Sequence, residues 1–383
     1  MVQNVPPMGW NSWNTYGVEI NDKLLYESAD ALVRSGLRDC GYQYVVIDDG
    51  WSEKQRNAQH RLVPDHTKFP DGIKAVADYV HSQGLKLGIY SCAGVMTCGG
   101  YPGSYEHEFL DAASFAEWGV DFLKYDYCFK PVDDVGALLY RRMGTALATC
   151  GRDIVFNACS WGADETAQWI KSTGAHMWRS TVDIFDTWES IKSLAKRQKD
   201  LFSFNGHGCF NDMDMLVVGM NGKGNVGLQG CSFTQYRTHF SLWALCGSPL
   251  VIGCDVRNMS DETLSILSNR DIIAVNQDPA YHQVFLTGGC HGFAGDYEDD
   301  CFGLARMMEN GDFAIGLFNL TDQPNNLYFT MAGLGLNRSC GKKLHLKNLW
   351  TGETAHTVDG YFAATLPAYD CLMLRATVED EDA

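Results

Sequence analysis

The sequence predicts an α/β protein, a (β/α)8 TIM barrel over residues 1–280 followed by a C-terminal antiparallel β-sandwich over residues 281–383. Three observations carry that expectation. Short β-rich runs alternate with amphipathic helical patterns, and glycine stands where each helix must stop. Polar residues collect at the carboxyl ends of the strand candidates. After residue 280 the helical period gives way to short alternating runs separated by turn residues.

In chain order, Asn21 is placed to cap a helix carrying Leu24, Leu25, Leu32 and Val33 that stops near Gly36, and residues 42–47 follow as a buried strand. The unit repeats with Ile73, Val76 and Val80 before Gly84 and a strand at 85–90. It recurs with Phe109, Ala112 and Ala116 before Gly119 and a strand at 120–125, then with Leu138, Leu139 and Met143 before Gly151 and a strand at 154–157. Such βαβ units suit either an open doubly wound sheet or a closed barrel. No GxGxxG turn follows the first strands, which weakens a dinucleotide-binding reading. The barrel is preferred because Asp48-Asp49, Tyr90-Ser91, Asp126, Cys159-Ser160 and Arg179 each end a strand candidate, and barrel strand ends converge on one face. Further on, residues 313–318 and 327–329 read as sandwich strands, and Glu379-Asp380-Glu381-Asp382 as a frayed, solvated tail.

With 45% hydrophobic and 12% aromatic residues, the chain is expected to bury a large core without a cofactor. A formal net charge of −17 disfavours nucleic acid or an anionic membrane as a partner and leaves a neutral small substrate unaffected. The start, Met1-Val2-Gln3-Asn4-Val5, lacks the blocks of a signal peptide, and no apolar run reaches spanning length. A soluble protein is expected, in the cytoplasm or, after removal of a leader, secreted. The 14 cysteines form no CxxC pair, so most are expected as buried thiols. Cys98 and Cys128 stand apart, each beside a loop of the predicted catalytic face.

The acids at the strand ends suit glycoside cleavage, which needs one ionised carboxylate to attack the anomeric carbon and one protonated carboxyl to assist the leaving oxygen. Asp126 shares a strand face with Lys124, whose ammonium would keep it ionised. Asp183 lies four residues beyond Arg179, before a helix with Asp186 as its expected cap and Trp188, Ile191 and Leu194 as its buried face. Asp48-Asp49 and Asn211-Asp212-Met213-Asp214 suit either a metal or sugar hydroxyls. Trp10, Trp51, Tyr90 and Trp161 lie by the same face, where aromatic rings pack on the apolar side of a sugar.

The ordered runs Met8-Gly9-Trp10-Asn11-Ser12-Trp13, Ile47-Asp48-Asp49-Gly50-Trp51, Leu123-Lys124-Tyr125-Asp126-Tyr127-Cys128 and Trp178-Arg179-Ser180-Thr181-Val182-Asp183 resemble the α-galactosidases and α-N-acetylgalactosaminidases of glycoside hydrolase family 27. The likeness continues through Thr97-Cys98-Gly99-Gly100 and Asn276-Gln277-Asp278-Pro279 and spans nearly the whole chain. It implies a retaining double displacement on terminal α-galactosyl or α-N-acetylgalactosaminyl saccharides, with no metal and no cofactor. By that resemblance Asp126 is the nucleophile and Asp183 the acid/base. Asp48 and Asp49 bind the 4- and 6-hydroxyls, Lys124 the 3- and 4-hydroxyls, and Trp10 packs on the sugar. Arg179 reaches the 2-position, Tyr90, Asp214 and Met215 complete the wall, and Cys98 pairs with Cys128. The resemblance leaves the aglycone and a homo-oligomer open.

Two departures matter. Relatives with Trp-Asn-Asp-Pro-Asp differ from Phe210-Asn211-Asp212-Met213-Asp214 in the loop carrying Asp214. At Cys159-Ser160-Trp161-Gly162-Ala163 the small residues Ser160 and Ala163 match enzymes that accept an acetamide, whereas Cys159 and the Trp161-Gly162 step match galactosidases in which Cys and Trp close that space. The second pattern makes galactose the expected sugar, with N-acetylgalactosamine the alternative.

Overall fold

The computed structural model describes residues 4–290 and 300–381; Met1-Val2-Gln3 and Asp382 of the sequence readings above lie outside them. The first half contains eight strands: β1 (Met8–Asn11), β2 (Tyr44–Val46), β3 (Lys86–Cys92), β4 (Phe122–Asp126), β5 (Val155–Cys159), β6 (Met177–Arg179), β7 (Phe210–Asp212) and β8 (Leu250–Ile252). They pair in parallel in the order β7-β6-β5-β4-β3-β2-β1-β8. A parallel bridge from Leu216, just after β7, to Ile252 closes the curled sheet into a barrel.

Helices alternate with the strands: α1 (Trp13–Tyr16), α2 (Asp22–Arg34), α3 (Gly72–Ser82), α4 (Glu108–Trp118), α5 (Gly136–Thr149), α6 (Thr166–Trp169), α7 (Trp188–Arg197), α8 (Phe233–Cys246), α9 (Asp261–Leu267) and α10 (Arg270–Asn276). Asn21 caps α2 as expected, its side chain accepting from Leu24 N. The barrel strands begin and end one to two residues later than the sequence predicts at β3, β4 and β5, because apolar residues continue from the preceding loops into the core.

The predicted faces of two helices need correction: Phe109 and Leu138 are exposed. In α4 the buried stripe runs instead through Glu108, Asp111, Ala112 and Phe115. Two acids can lie inward there because distant arginines meet them, Arg56 with both guanidinium nitrogens on Asp111 at 2.7 Å and Arg142 on Glu108 at 3.0 Å. The expected cap of α7 is also displaced by one residue. Thr187 accepts from Ser190 N, while Asp186 is wholly buried and accepts from Tyr236 Oη at 2.9 Å and Gly222 N at 2.7 Å.

The second sheet is antiparallel and comprises β9 (Phe285–Gly289), β10 (Cys301–Met307), β11 (Phe313–Asn319), β12 (Asn325–Thr330), β13 (Lys342–Asn348), β14 (Thr354–His356), β15 (Tyr361–Leu366) and β16 (Cys371–Asp380). Its order is β14-β13-β16-β11-β10-β9-β12-β15, curling on itself as a sandwich. β11 is buried on both faces, Phe313, Ile315 and Leu317 facing the sandwich core and Ala314 and Phe318 the barrel's core. The acidic end is not frayed up to Asp380: Glu379 pairs opposite Lys343, and Asp380 meets Lys342 Nζ at 2.5 Å. No helix among the described residues is long and apolar enough to cross a membrane.

Candidate active site

A cavity of about 260 Å³ opens at the carboxyl ends of the barrel strands. Asp126, the last residue of β4, lies on its floor. Its Oδ2 accepts from Tyr90 Oη at 2.7 Å and its Oδ1 from Tyr127 N at 2.8 Å, so the carboxylate is aimed by one phenol and one amide. Burial pushes the Asp126 carboxyl above the usual range, against the opposing pull of Lys124 and these two donors. Burial also holds Tyr90 neutral, so it serves as a donor.

Lys124 stands two residues before Asp126 on the same inward face, but its direct partner is Asp48. Nζ lies 2.7 Å from Asp48 Oδ2, which also accepts from Asn11 Nδ2 at 2.7 Å. Burial works against the ammonium, yet Asp48, Cys159 and Asp126 outweigh it and raise the pKa of Lys124. Lys124 therefore acts on Asp126, as its place on the strand suggests, and also on the buried Asp48.

Across the cavity, Arg179 ends β6. Its Nη2 reaches Asp183 Oδ1 at 2.9 Å, Asp214 Oδ2 at 3.1 Å and Thr181 O at 3.1 Å, and its Nη1 lies 3.6 Å from Cys159 Sγ. Although burial would raise it, the guanidinium, aided by Lys124, holds the Asp183 carboxyl below its ordinary value. The Asp183 side chain is 59% exposed, whereas that of Asp214 is buried, and its burial pushes Asp214 up against Arg179. Asp214 adopts φ 80°, a left-handed conformation costing on the order of 1–3 kcal/mol for a non-glycine residue. Amides of Met215 and Ile184 donate to its two oxygens and hold it there. Asp212 is pushed up to about 6 by burial, against Arg179.

The structure thus brings Asp48, Tyr90, Cys98, Lys124, Asp126, Cys159, Arg179, Asp183, Asp214 and Met215 to one cavity. It does not bring all the predicted residues there. Trp10 is wholly buried in the core, with its indole N–H donating to Cys254 O at 2.9 Å; Trp13, three residues on at the start of α1, takes the wall instead. Asp49 faces the neighbouring loop, accepting from Gly99 N at 2.6 Å. Ser160 is wholly buried against Thr166, 2.8 Å away, and Trp161 sets its edge against Tyr127. Of this segment it is Cys159 that lines the cavity. Asn14, Ile184, Phe185, Asn225 and Val226 were not singled out in the sequence. Asn14 follows the Trp10 motif and was within reach of the strand-end argument, whereas Asn225 lies in a loop with no pattern.

Cys98 and Cys128 form a disulfide, and Cys98 Sγ lies 3.7 Å from Asp126 Oδ2. Of the other cysteines, seven are buried thiols. Among the described residues, two groups have metal-ligand spacing. One is the disulfide with Asp126, whose sulfurs are bonded to each other and are not thiolates. The other, Glu53 with Asp65 and His66, is absent from the cavity walls. The carboxylates of Asp212 and Asp214 are taken up by backbone amides and Arg179.

Comparison with known proteins agrees with this geometry. A family model described as alpha galactosidase A matches residues 5–278, and one described as the alpha galactosidase C-terminal beta sandwich domain matches residues 303–376. Alpha-galactosidase 3 of Arabidopsis thaliana is 44% identical over 376 residues, which cover 96% of this chain and 80% of that protein. Among solved structures, alpha-galactosidase I of Mortierella vinacea superposes with a TM-score of 0.87 at 30% identity, covering 97% of each chain. The Saccharomyces cerevisiae α-galactosidase solved with raffinose does so with a TM-score of 0.86 at 26% identity, covering 98% of each.

Proposed function

The chain belongs to the α-galactosidases of glycoside hydrolase family 27, and we propose that it cleaves terminal α-linked galactose by double displacement, with Asp126 as nucleophile and Asp183 as acid/base. The observation that carries this reading is the pairing of differently held carboxyls on one cavity: Asp126 fixed by Tyr90 and Tyr127, and Asp183 standing at the open mouth on Arg179. In the first step an Asp126 oxygen bonds to the anomeric carbon as the glycosidic bond breaks, and the Asp183 proton goes to the departing oxygen. In the second, Asp183 takes a proton from water, whose oxygen displaces Asp126.

Without substrate, burial raises Asp126 and Arg179 lowers Asp183, the reverse of what the first step uses. Substrate corrects this. A saccharide over the half-open Asp183 removes its water, and the sugar's 2-hydroxyl competes for Arg179; both changes raise the acid. Lys124 and Asp48 meet ring hydroxyls with complementary donors and acceptors, and Trp13 offers the apolar wall. Under this reading the barrel to about residue 280 carries the chemistry, and the sandwich beyond it does not.

Galactose rather than N-acetylgalactosamine is favoured by the wall beside Arg179. Cys159 lines the cavity beside Arg179, which the sugar's 2-position would meet, and Ser160, whose small side chain would make room for an acetamide, is instead wholly buried against Thr166. The test is kcat/KM for 4-nitrophenyl α-galactoside against the α-N-acetylgalactosaminide, with the first-formed anomer followed by NMR. A galactose preference with α-galactose released first is expected. Preference for the acetamido sugar, or release of the β-anomer first, refutes the respective part.

A further inference from the structure

The loop that carries Asp183 presents two apolar side chains to solvent, one on each side of it. Val182 is 47% and Phe185 46% exposed, while Ile184 and Asp186 between and beyond them are wholly buried. An exposed phenylalanine in a slack loop would mean little. This one is held out by its backbone. Ile184 N donates to Asp214 Oδ2 at 2.7 Å, Phe185 N to Ser190 Oγ at 2.9 Å, and Asp186 N to Val226 O at 3.1 Å. The Asp186 carboxylate beneath is tied to Gly222 N and Tyr236 Oη. Phe185 lies on the wall of the same cavity, next but one to the residue that protonates the departing oxygen, with Asn225 also on that wall.

We propose that Phe185 is the platform for the leaving group, and that the preferred leaving group is a neutral pyranose whose C–H face packs on the ring. This rests on reading Asp183 as the acid, because the group that receives its proton must sit beside it. A flat apolar ring with one amide nearby matches a sugar's apolar face and ring hydroxyls, and the excess of acidic residues lining the cavity disfavours an anionic group.

The experiment compares wild type, Phe185→Ala and Phe185→Trp on two substrates, 6-O-α-galactosyl glucose and α-galactosyl fluoride, whose leaving group is a single atom. The ratio of kcat/KM for the disaccharide to that for the fluoride is expected to fall about tenfold in Phe185→Ala and to recover in Phe185→Trp. An unchanged ratio in Phe185→Ala, or an equal fall in Phe185→Trp, overturns the proposal. Turnover of the fluoride by all three proteins keeps the galactosidase reading intact whichever way the ratio moves. A changed subunit number in Phe185→Ala with the ratio unaltered also overturns it, by assigning the ring to a contact between copies.

Discussion

Lys124→Met tests the electrostatics of the site at its centre. The ammonium sits 2.7 Å from Asp48 Oδ2, with side-chain exposures of 11% and 1%, so the pair is out of water. Removing the cation leaves Asp48 buried with Asn11 and the Asp49 amide as donors but no countercharge, and such a loss costs about 3–5 kcal/mol. A double variant with Asp48→Asn strands no charge and should regain most of that loss. Lys124 also lowers the carboxyls of both Asp126 and Asp183, so in its absence both rise. Each then ionises at higher pH, and both limbs of the bell-shaped kcat/KM profile move in the alkaline direction whichever carboxyl governs which limb. Stability is read by urea unfolding, the limbs by initial rates on 4-nitrophenyl α-galactoside. A loss below about 1 kcal/mol, or a profile that stays in place, would refute the reasoning.

Azide separates the two catalytic roles: Asp126→Ala should yield the inverted β-galactosyl azide and Asp183→Ala the retained α-galactosyl azide from an activated aryl galactoside, and the opposite outcome exchanges the assignments. His239 is wholly buried, accepts from Val217 N, and is lowered by burial to about 3. The unfolded chain therefore binds this proton first, and the stability it contributes is whole above the ordinary histidine value and is lost as pH falls from there towards 3. One such proton corresponds to about 1.4 kcal/mol per pH unit, so His239→Gln should flatten the decline between pH 6.5 and 5 by about 2 kcal/mol; an unchanged slope in urea unfolding contradicts it.

The polar strand ends were legible because a barrel strand spends its polar residues where it leaves the core, and Asp48, Asp126 and Arg179 follow from that, whereas Asp183, on the loop beyond Arg179, needed the family resemblance. Trp10 was not, for a reason of the same kind. All four residues of β1 are buried, so the strand shows no alternation from which to read which side chains point up into the cavity. Phe109 and Leu138 misled because apolar character was equated with the inner face. In α4 that face takes acids whose arginine partners lie tens of residues away, a pairing no local period reveals. The burial of Ser160 goes with its bond to Thr166 and the left-handed conformation of Trp161, φ 58°, both set by the loop as a whole.

The two carboxyls also differ in what supports them. Asp126 belongs to a strand hydrogen-bonded on both sides, to β3 and to β5, and its place is fixed by the barrel itself. Asp183 lies on a loop that runs directly into α7, and α7 leans on the sandwich. Trp188 Nε1 donates to Leu320 O at 3.1 Å, its ring meets Tyr369, and Lys192 and Lys196 both reach Asp300 at 2.8 Å. From the other side, Arg237 of α8 pairs with Asp370 at 2.5 Å, and its neighbour Tyr236 holds Asp186 beneath the loop. Among the described residues the sandwich therefore contributes no group to the cavity, yet it braces the segment that carries the proposed acid. That is the segment whose position must be held most closely, because a proton donor works only within hydrogen-bond reach of the departing oxygen.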